Sequence, residues 1–252
     1  MTRVFLDDAQ IRADSATVTG SDAHHLLNVL RMGLGDTFTV VDERGCERRA
    51  TIAEVAESSL RADLGDPEPM NPEPTLALTL YHGLPRASRY ETSLRMCTEL
   101  GLSGFVPVLC ARSVVRIEGA DVERKRERWQ RIVEEAAKQC GRTRIPRVHP
   151  PMGWHEALAQ FHGSGAPGVM PAAGLAGSHA PSLGERAQEL APQAPAELAL
   201  FIGPESGFDL AEEAGAQAAG VALVTMGPRI LRTETAAVVA AAICLDRLGQ
   251  LR

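Results

Sequence analysis

No stretch of the sequence approaches the roughly 18 uncharged apolar residues that a membrane helix needs, and the opening MTRVFLDDAQIRAD has no apolar targeting core. A cytoplasmic protein is the expectation. Cysteine is scarce and scattered: Cys46, Cys97, Cys110, Cys140 and Cys244 are odd in number and form no CxxC pair. A zinc site or a disulfide framework is therefore not expected, and buried free thiols are. The phosphate-binding pattern GxxxxGK[ST] is missing, and the apolar run 76–84 leads into HGLPRAS rather than GxGxxG, which leaves P-loop and Rossmann nucleotide sites unsupported. His24 and His25 have no ligand-like neighbours in sequence, so no metal is expected.

With 252 residues, 44% hydrophobic and 23% charged, the chain has the composition of a folded globular protein, large enough for one sizeable domain or two smaller ones. Its charge is unevenly spread. Residues 86–147 carry 14 basic against 8 acidic side chains, a local +6 in a chain whose formal net charge is -6. Such a distribution is the footprint of a phosphate-binding face. A solvated helix laced with ion pairs reads equally well from DVERKRERWQRIVEEAAKQ within it.

Prolines at 67, 69, 72 and 74 in GDPEPMNPEPT mark a stiff linker over 65–75. Before it lie β-like segments at 37–41 and 50–55, the turn candidates GLGD and DERG, and one amphipathic helix, SDAHHLLNVLRM, with Leu26, Leu27, Val29 and Leu30 as its apolar stripe. This predicts a small β-rich domain. After the linker, compact apolar runs at 76–84, 104–109, 168–170, 197–203 and 221–227 alternate with helical patterns at 88–100, 121–141, 184–190, 209–219 and 233–248. That alternation predicts an open α/β sheet with a ligand crevice at the carboxyl ends of its strands.

Two strand ends carry the chemistry. FIGPESGF (201–208) and TMGPRILRTETA (225–236) each leave a strand through Gly-Pro, cross a polar loop and enter a helix, the first capped by Asp209 and the second starting near Thr233. A capping threonine accounts for one polar residue, and Gly-Pro pairs also make ordinary turns. Arg229 and Arg232 fit neither account, because cations at a helix N-terminus are unfavourable unless something anionic or carbonyl-rich arrives.

In order along the chain, HHLLNVLRMGLGD, ELGLSGFVPVL with ARSVV, KQCGRTRIPRV, FIGPESGF and MGPRILRTETAA resemble the RsmE family of 16S ribosomal RNA methyltransferases, members of the SPOUT superfamily. The resemblance spans nearly the whole chain. It implies an α/β fold: an N-terminal PUA-like β-barrel for RNA over 1–72 and a C-terminal SPOUT domain with a deep trefoil knot over 73–252. It also implies S-adenosylmethionine as cofactor, N3 of a uridine in 16S ribosomal RNA of the 30S subunit as methyl acceptor, and a homodimer without metal or membrane.

Carried over residue by residue, the resemblance implies a cofactor pocket of Met170, Pro171, Ile202, Gly203, Pro204, Glu205, Gly207, Met226, Gly227, Ile230, Leu231, Thr233, Thr235 and Ala236. Arg232 is expected nearest the acceptor, stabilising charge on the uracil oxygens, with Arg229 as a phosphate or base contact. Glu205 is expected to remove the proton, orient the cofactor, or hold a loop amide. Arg31, Arg112, Arg116, Arg142 and Arg144 are the expected RNA contacts. The family's usual GPEGG is GPESG here, so Ser206 replaces a glycine, at about 1 kcal/mol if the position needs positive φ. Arg89, Arg95 and Met96 also depart from the family pattern and put one RNA contact in doubt. A SPOUT enzyme for another RNA nucleotide, and a catalytically silent ribosome-assembly protein of the same fold, remain alternatives.

Overall fold

Most strand-forming residues in the first quarter of the chain alternate between core and solvent with period two, whereas Phe38–Val41 are buried in succession. In the computed structural model, which describes residues 2–68, 73–113, 115, 117 and 119–251, these strands build the first of two units, Met1–Glu73 with Ala137–Arg144. Its elements are β1 (Arg3–Phe5), β2 (Ile11–Arg12), β3 (Ser15–Thr19), α1 (Gly20–His24), β4 (Thr37–Val41), β5 (Glu47–Val55) and β6 (Ser59–Glu68). They form one mixed sheet in the order β1-β4-β5-β6-β3-β2, with β1 parallel to β4 and the other pairs antiparallel. Register shifts between Arg48 and Ala50 and between Ile52 and Glu54 curl it. Val18, Leu26, Phe38, Val40, Ile52 and Leu60 fill its concave side.

Two expectations are corrected in this unit. The proline-rich linker does not begin at 65, because β6 continues to Glu68 with Pro67 opposite Arg48 of β5. Pro67 is tolerated there because β3 pairs only with Ser59–Asp63, so the other edge of β6 makes no ladder bond at that point. The amphipathic helix is also shorter. After His24 it widens into a π-turn over His25–Val29, closed by Leu30 N donating to His25 O at 2.9 Å. The extra residue per turn rotates the stripe, so Leu26 is buried while Val29 and Leu30 are exposed.

The second unit, Pro74–Ala136 with Ile145–Arg252, contains β7 (Ala77–Gly83), α2 (Ala87–Leu100), β8 (Gly104–Leu109), α3 (Asp121–Cys140, whose last turn groups with the first unit), β9 (Arg147–Val148), β10 (Met152–Gly153) and α4 (Trp154–Ser164). It continues with β11 (Gly168–Pro171), α5 (Leu183–Leu190), β12 (Glu197–Ile202), α6 (Leu210–Ala218), β13 (Val221–Val224) and α7 (Thr233–Arg247). All pairs are parallel, in the order β10-β8-β7-β12-β11-β13, with β9 beside β8.

Both faces of this sheet are covered, which explains the continuous apolar runs. Leu198, Leu200 and Ile202 of β12 face a cluster with Tyr90, Trp129, Ala237 and Leu245, while Ala199 and Phe201 face Trp154, Phe161 and Ala216. The helix α4 was not expected from the sequence, although Trp154, Ala157, Leu158 and Phe161 follow helical spacing; its histidines and terminal Gly163 weaken the pattern. Cys97, Cys110 and Cys244 are buried thiols as expected, whereas Cys46 and Cys140 are only half-buried. In α3, Asp121–Arg124 and Glu123–Arg126 pair with each other, so those charges form the solvated face that the sequence allowed. No described helix is long and apolar enough to cross a membrane.

Candidate active site

The chain places β8 on one side of β7 and β12 on the other, so the strand order reverses at β7. Ligands of open parallel sheets bind beyond the carboxyl ends of the strands at such a reversal. A cavity of about 280 Å³ opens beside it, beyond the ends of β11, β12 and β13, just under the usual range for small-molecule sites.

Its walls are the two Gly-Pro loops. In the first, Gly207 N donates to Pro204 O at 2.9 Å, and Gly207 takes φ +70. A Cβ on Gly203 would stand 3.0 Å from Gly207 Cα and Phe208 N, so this loop closes on itself only around a bare α-carbon. In the second, Gly227 has φ +94 and its amide donates to Thr225 Oγ1 at 3.2 Å. The loops are tied together at Thr233, the first residue of α7, whose hydroxyl donates to Gly203 O at 2.6 Å. The helix itself begins without a side-chain cap, so Thr233 spends its hydroxyl on the neighbouring loop instead.

Of the expected cofactor residues, Pro171, Ile202, Gly203, Pro204, Glu205, Gly207, Met226, Gly227, Ile230, Leu231, Thr233 and Ala236 line the cavity; Met170, fully buried, and Thr235, exposed, do not. The two arginines, neither of them expected in the cofactor pocket, are placed differently. Arg229 lines the cavity, whereas Arg232 is exposed at the N-cap of α7, off its wall. Glu205 Oε1 accepts from Arg86 N at 3.1 Å, at the start of α2, and lies 3.5 Å from Arg89 Nη1. That bond corresponds to the last of its three expected roles, and Glu205 also lines the cavity.

Ser206 is corrected too. Among described residues only Ala13, Arg31 and Ala194 are non-glycines with positive φ, so Ser206 carries no left-handed strain. It makes a reciprocal clamp instead: Ser206 Oγ donates to Arg112 O at 3.1 Å and Arg112 Nη1 donates to Ser206 O at 3.2 Å. Arg112, expected among the RNA contacts, thus forms cavity wall, beside Glu213, whose carboxyl is raised by burial with Arg112 opposing. Sequence reasoning missed Glu213 and Glu212. Glu212 accepts from Ala111 N at 2.7 Å and from Asp209 N at 2.9 Å, fastening the loop after β8 to the capping box of α6. The ASP-x-x-GLU capping box was the only signal for it.

The remaining expected RNA contacts separate by exposure. Arg31 and Arg144 face solvent. Arg142 does not: its guanidinium is buried against Glu73, with Nη2 2.8 Å from Oε2. Arg116 lies outside the described residues.

His82, at the end of β7 and fully buried, has Nε2 2.9 Å from Thr233 Oγ1. Burial pushes its pKa down to about 3. The folded ring is neutral while the unfolded chain takes up a proton near pH 6.5, so this contribution is complete above that pH and is lost as pH falls from about 6.5 toward 3. Acid unfolding of the parent should therefore steepen over that window relative to His82→Gln, by up to about 1.4 kcal/mol per pH unit. An equal loss of stability in the parent and in His82→Gln between about pH 6 and about pH 4.5, read from urea titrations, would remove the assignment.

A parallel sheet with a glycine-walled cavity beyond its strand ends, accompanied by a small strand-rich unit, defines a class: residues 71–245 match the RNA methyltransferase domain family, and residues 18–64 the RNA methyltransferase PUA domain. Curated relatives narrow it. Ribosomal RNA small subunit methyltransferase E of Synechocystis is 34% identical over 240 residues, covering 95% of this chain and 76% of that protein. The Bacillus subtilis protein of the same name is 29% identical over 249 residues, covering 94% and 93%. A crystal structure of ribosomal RNA small subunit methyltransferase E from Neisseria gonorrhoeae bound to S-adenosyl methionine has a TM-score of 0.83 at 28% identity, covering 98% of this chain and 97% of that one. The chain belongs to the ribosomal RNA small subunit methyltransferase E family.

Proposed function

We propose that this protein methylates N3 of a uridine in 16S ribosomal RNA, uridine 1498 in the family's naming, using S-adenosylmethionine. The observation that carries the reading is the cavity walled by the two Gly-Pro loops and lined by Arg229. Its residues fit that cofactor: Ile202, Met226, Leu231 and Ala236 offer apolar surface to a flat base, and Arg112 with Glu213 offers paired charges to an amino-acid zwitterion. When bound, the cofactor supplies an electrophilic methyl group on a sulfonium, which leaves as the thioether once the new N–C bond forms.

The chain's own residues prepare the acceptor. N3 of uracil gives up its proton to water and charge spreads onto O2 and O4, where an always-protonated guanidinium donating two hydrogen bonds is the suited partner. Arg232, exposed beside the cavity, takes that role, and Arg229 bridges acceptor and cofactor. Glu205 holds the start of α2 and is a positioning residue. Residues 1–72 bind RNA and 73–252 carry the methyl-transfer site, in the cytoplasm, on the 30S subunit.

Two features support the finer architecture. After β13 at the sheet edge, the chain returns past β11 to set Thr233 against Gly203 at the end of β12, a crossing that supports the trefoil-knot reading. Leu210 and Ile230 are 82% and 81% exposed at the rim of the cavity, and a second copy of the chain in a homodimer would cover them.

Transfer of labelled methyl from S-adenosylmethionine to small subunits lacking the modification, followed by nucleoside digestion, tests the reading. Labelled 3-methyluridine is expected; another methylated nucleoside moves the target, and no label with no cofactor binding leaves an RNA-binding protein. Two further outcomes follow. Gly83→Ala puts a methyl 2.5 Å from Pro204 Cδ and 2.8 Å from Pro204 N, so calorimetry should find S-adenosylhomocysteine bound about tenfold more weakly. Arg31→Ala and Arg144→Ala should each lower the salt slope of RNA binding by about 1, and unchanged slopes would exclude them as phosphate contacts.

A further inference from the structure

We infer that His82 is a positioning residue for methyl transfer, one that touches neither cofactor nor RNA and sets the cavity wall through Thr233 and Gly203. The inference rests on the cofactor reading of the cavity given above. Its basis is a directed chain of hydrogen bonds. Gly203 O is a carbonyl and only accepts, so the single hydroxyl proton of Thr233 is committed to it at 2.6 Å. Thr233 Oγ1 must then accept from His82 across 2.9 Å. That places the ring proton on Nε2 and leaves Nδ1 with its lone pair.

The surroundings agree with this assignment. Nδ1 is buried with no hydrogen-bond partner among the described residues, and a buried acceptor without a partner is better tolerated than a buried donor. The ring packs against Tyr90, centroids 5.5 Å apart, which in turn meets Trp129. Burial keeps the imidazole neutral, so Nδ1 carries no proton that would stand buried without an acceptor.

The consequence falls on the two loops. Gly203 and Thr233 both line the cavity, while His82 does not. With the His82 donor present, the Thr233 hydroxyl has one orientation and one acceptor. Without it the hydroxyl can rotate away from Gly203, and the loop bearing Gly203 and Pro204 loses its tie to the start of α7.

Calorimetric binding of S-adenosylhomocysteine, paired with steady-state kinetics and a melting temperature for each variant, tests the relay. His82→Leu is expected to raise Kd and the cofactor KM about tenfold, with turnover at saturating cofactor within about threefold of parent and the RNA KM unmoved. His82→Gln, which keeps an N–H donor, should recover most of that affinity. Thr233→Val should reproduce the His82→Leu change, and the double variant should be no worse than either single one, because both break the same path. If His82→Leu misfolds, His82→Met takes its place beside His82→Gln, the one lacking the N–H donor and the other keeping it. A folded His82→Leu that binds S-adenosylhomocysteine like the parent, or additive effects in the double variant, overturns the inference and leaves the functional reading standing. A parent chain that binds no S-adenosylhomocysteine overturns both.

Discussion

Arg232→Ala is expected to bind S-adenosylmethionine as the parent does and to transfer its methyl group roughly 10²–10³-fold more slowly. Arg232 is exposed at the N-cap of α7 and is absent from the cavity wall, so its truncation leaves the cofactor's surroundings intact. In the proposed role, what it removes is a cation beside the charge that develops on the uracil oxygens, and donors of that kind act only as the proton leaves. Arg232→Lys should recover part of the rate, since an ammonium supplies charge without the two-pronged geometry. Arg229→Ala separates the two arginines: it lines the cavity, and its loss should weaken cofactor binding as well as turnover. Single-turnover transfer to small subunits with calorimetry on the same preparations reads both quantities. Normal turnover by Arg232→Ala would show that the arginine at the helix start has no part in the chemistry.

The second large effect is on stability. Glu73→Ala is expected to destabilise the chain by about 3–5 kcal/mol, because one member of a buried ion pair is removed and the other stays. Glu73 and Arg142 are each 10% exposed, with Nη2 and Nε of the guanidinium 2.8 and 3.1 Å from Oε2. Oε1 accepts from Thr143 N at 2.8 Å and Arg144 N at 3.0 Å. Burial alone would raise this carboxyl; the Arg142 guanidinium and the two amides outweigh it and hold it below its ordinary 4.5. The contribution is therefore present above that value and is lost as pH falls below it. Replacing both partners by apolar residues, Glu73→Leu with Arg142→Met, should cost far less than Glu73→Ala. Urea midpoints at neutral pH decide the matter, and an unchanged midpoint for Glu73→Ala would mean the pair is energetically silent.

Glu73 also shows where reading the sequence stops. Among the four prolines it looks like one more linker residue, and nothing local connects it to an arginine 69 positions away. Gly83 is similar: a glycine ending a strand, until Pro204 is found against it. The helix His25–Val29 misled for another reason, since amphipathic spacing assumes 3.6 residues per turn and a π-turn breaks that count without any mark in composition. Arg112 and Arg142 were legible as cations but not as engaged ones, because a charge count carries no information about which guanidinium meets a loop carbonyl or a buried carboxylate.

The sequence by itself determined the strand-and-helix alternation after residue 75, the two Gly-Pro loops as the walls of a site, and the family. Those depend on periodicity, backbone-restricted residues and motif order, which are local and survive in one dimension. Only the tertiary structure decided that Arg229 rather than Arg232 lines the cavity, that Ser206 clamps instead of strains, and that His82 stands behind Thr233. Each of those is a distance between residues far apart in the chain, and it is sheet order and packing that bring them within hydrogen-bond reach.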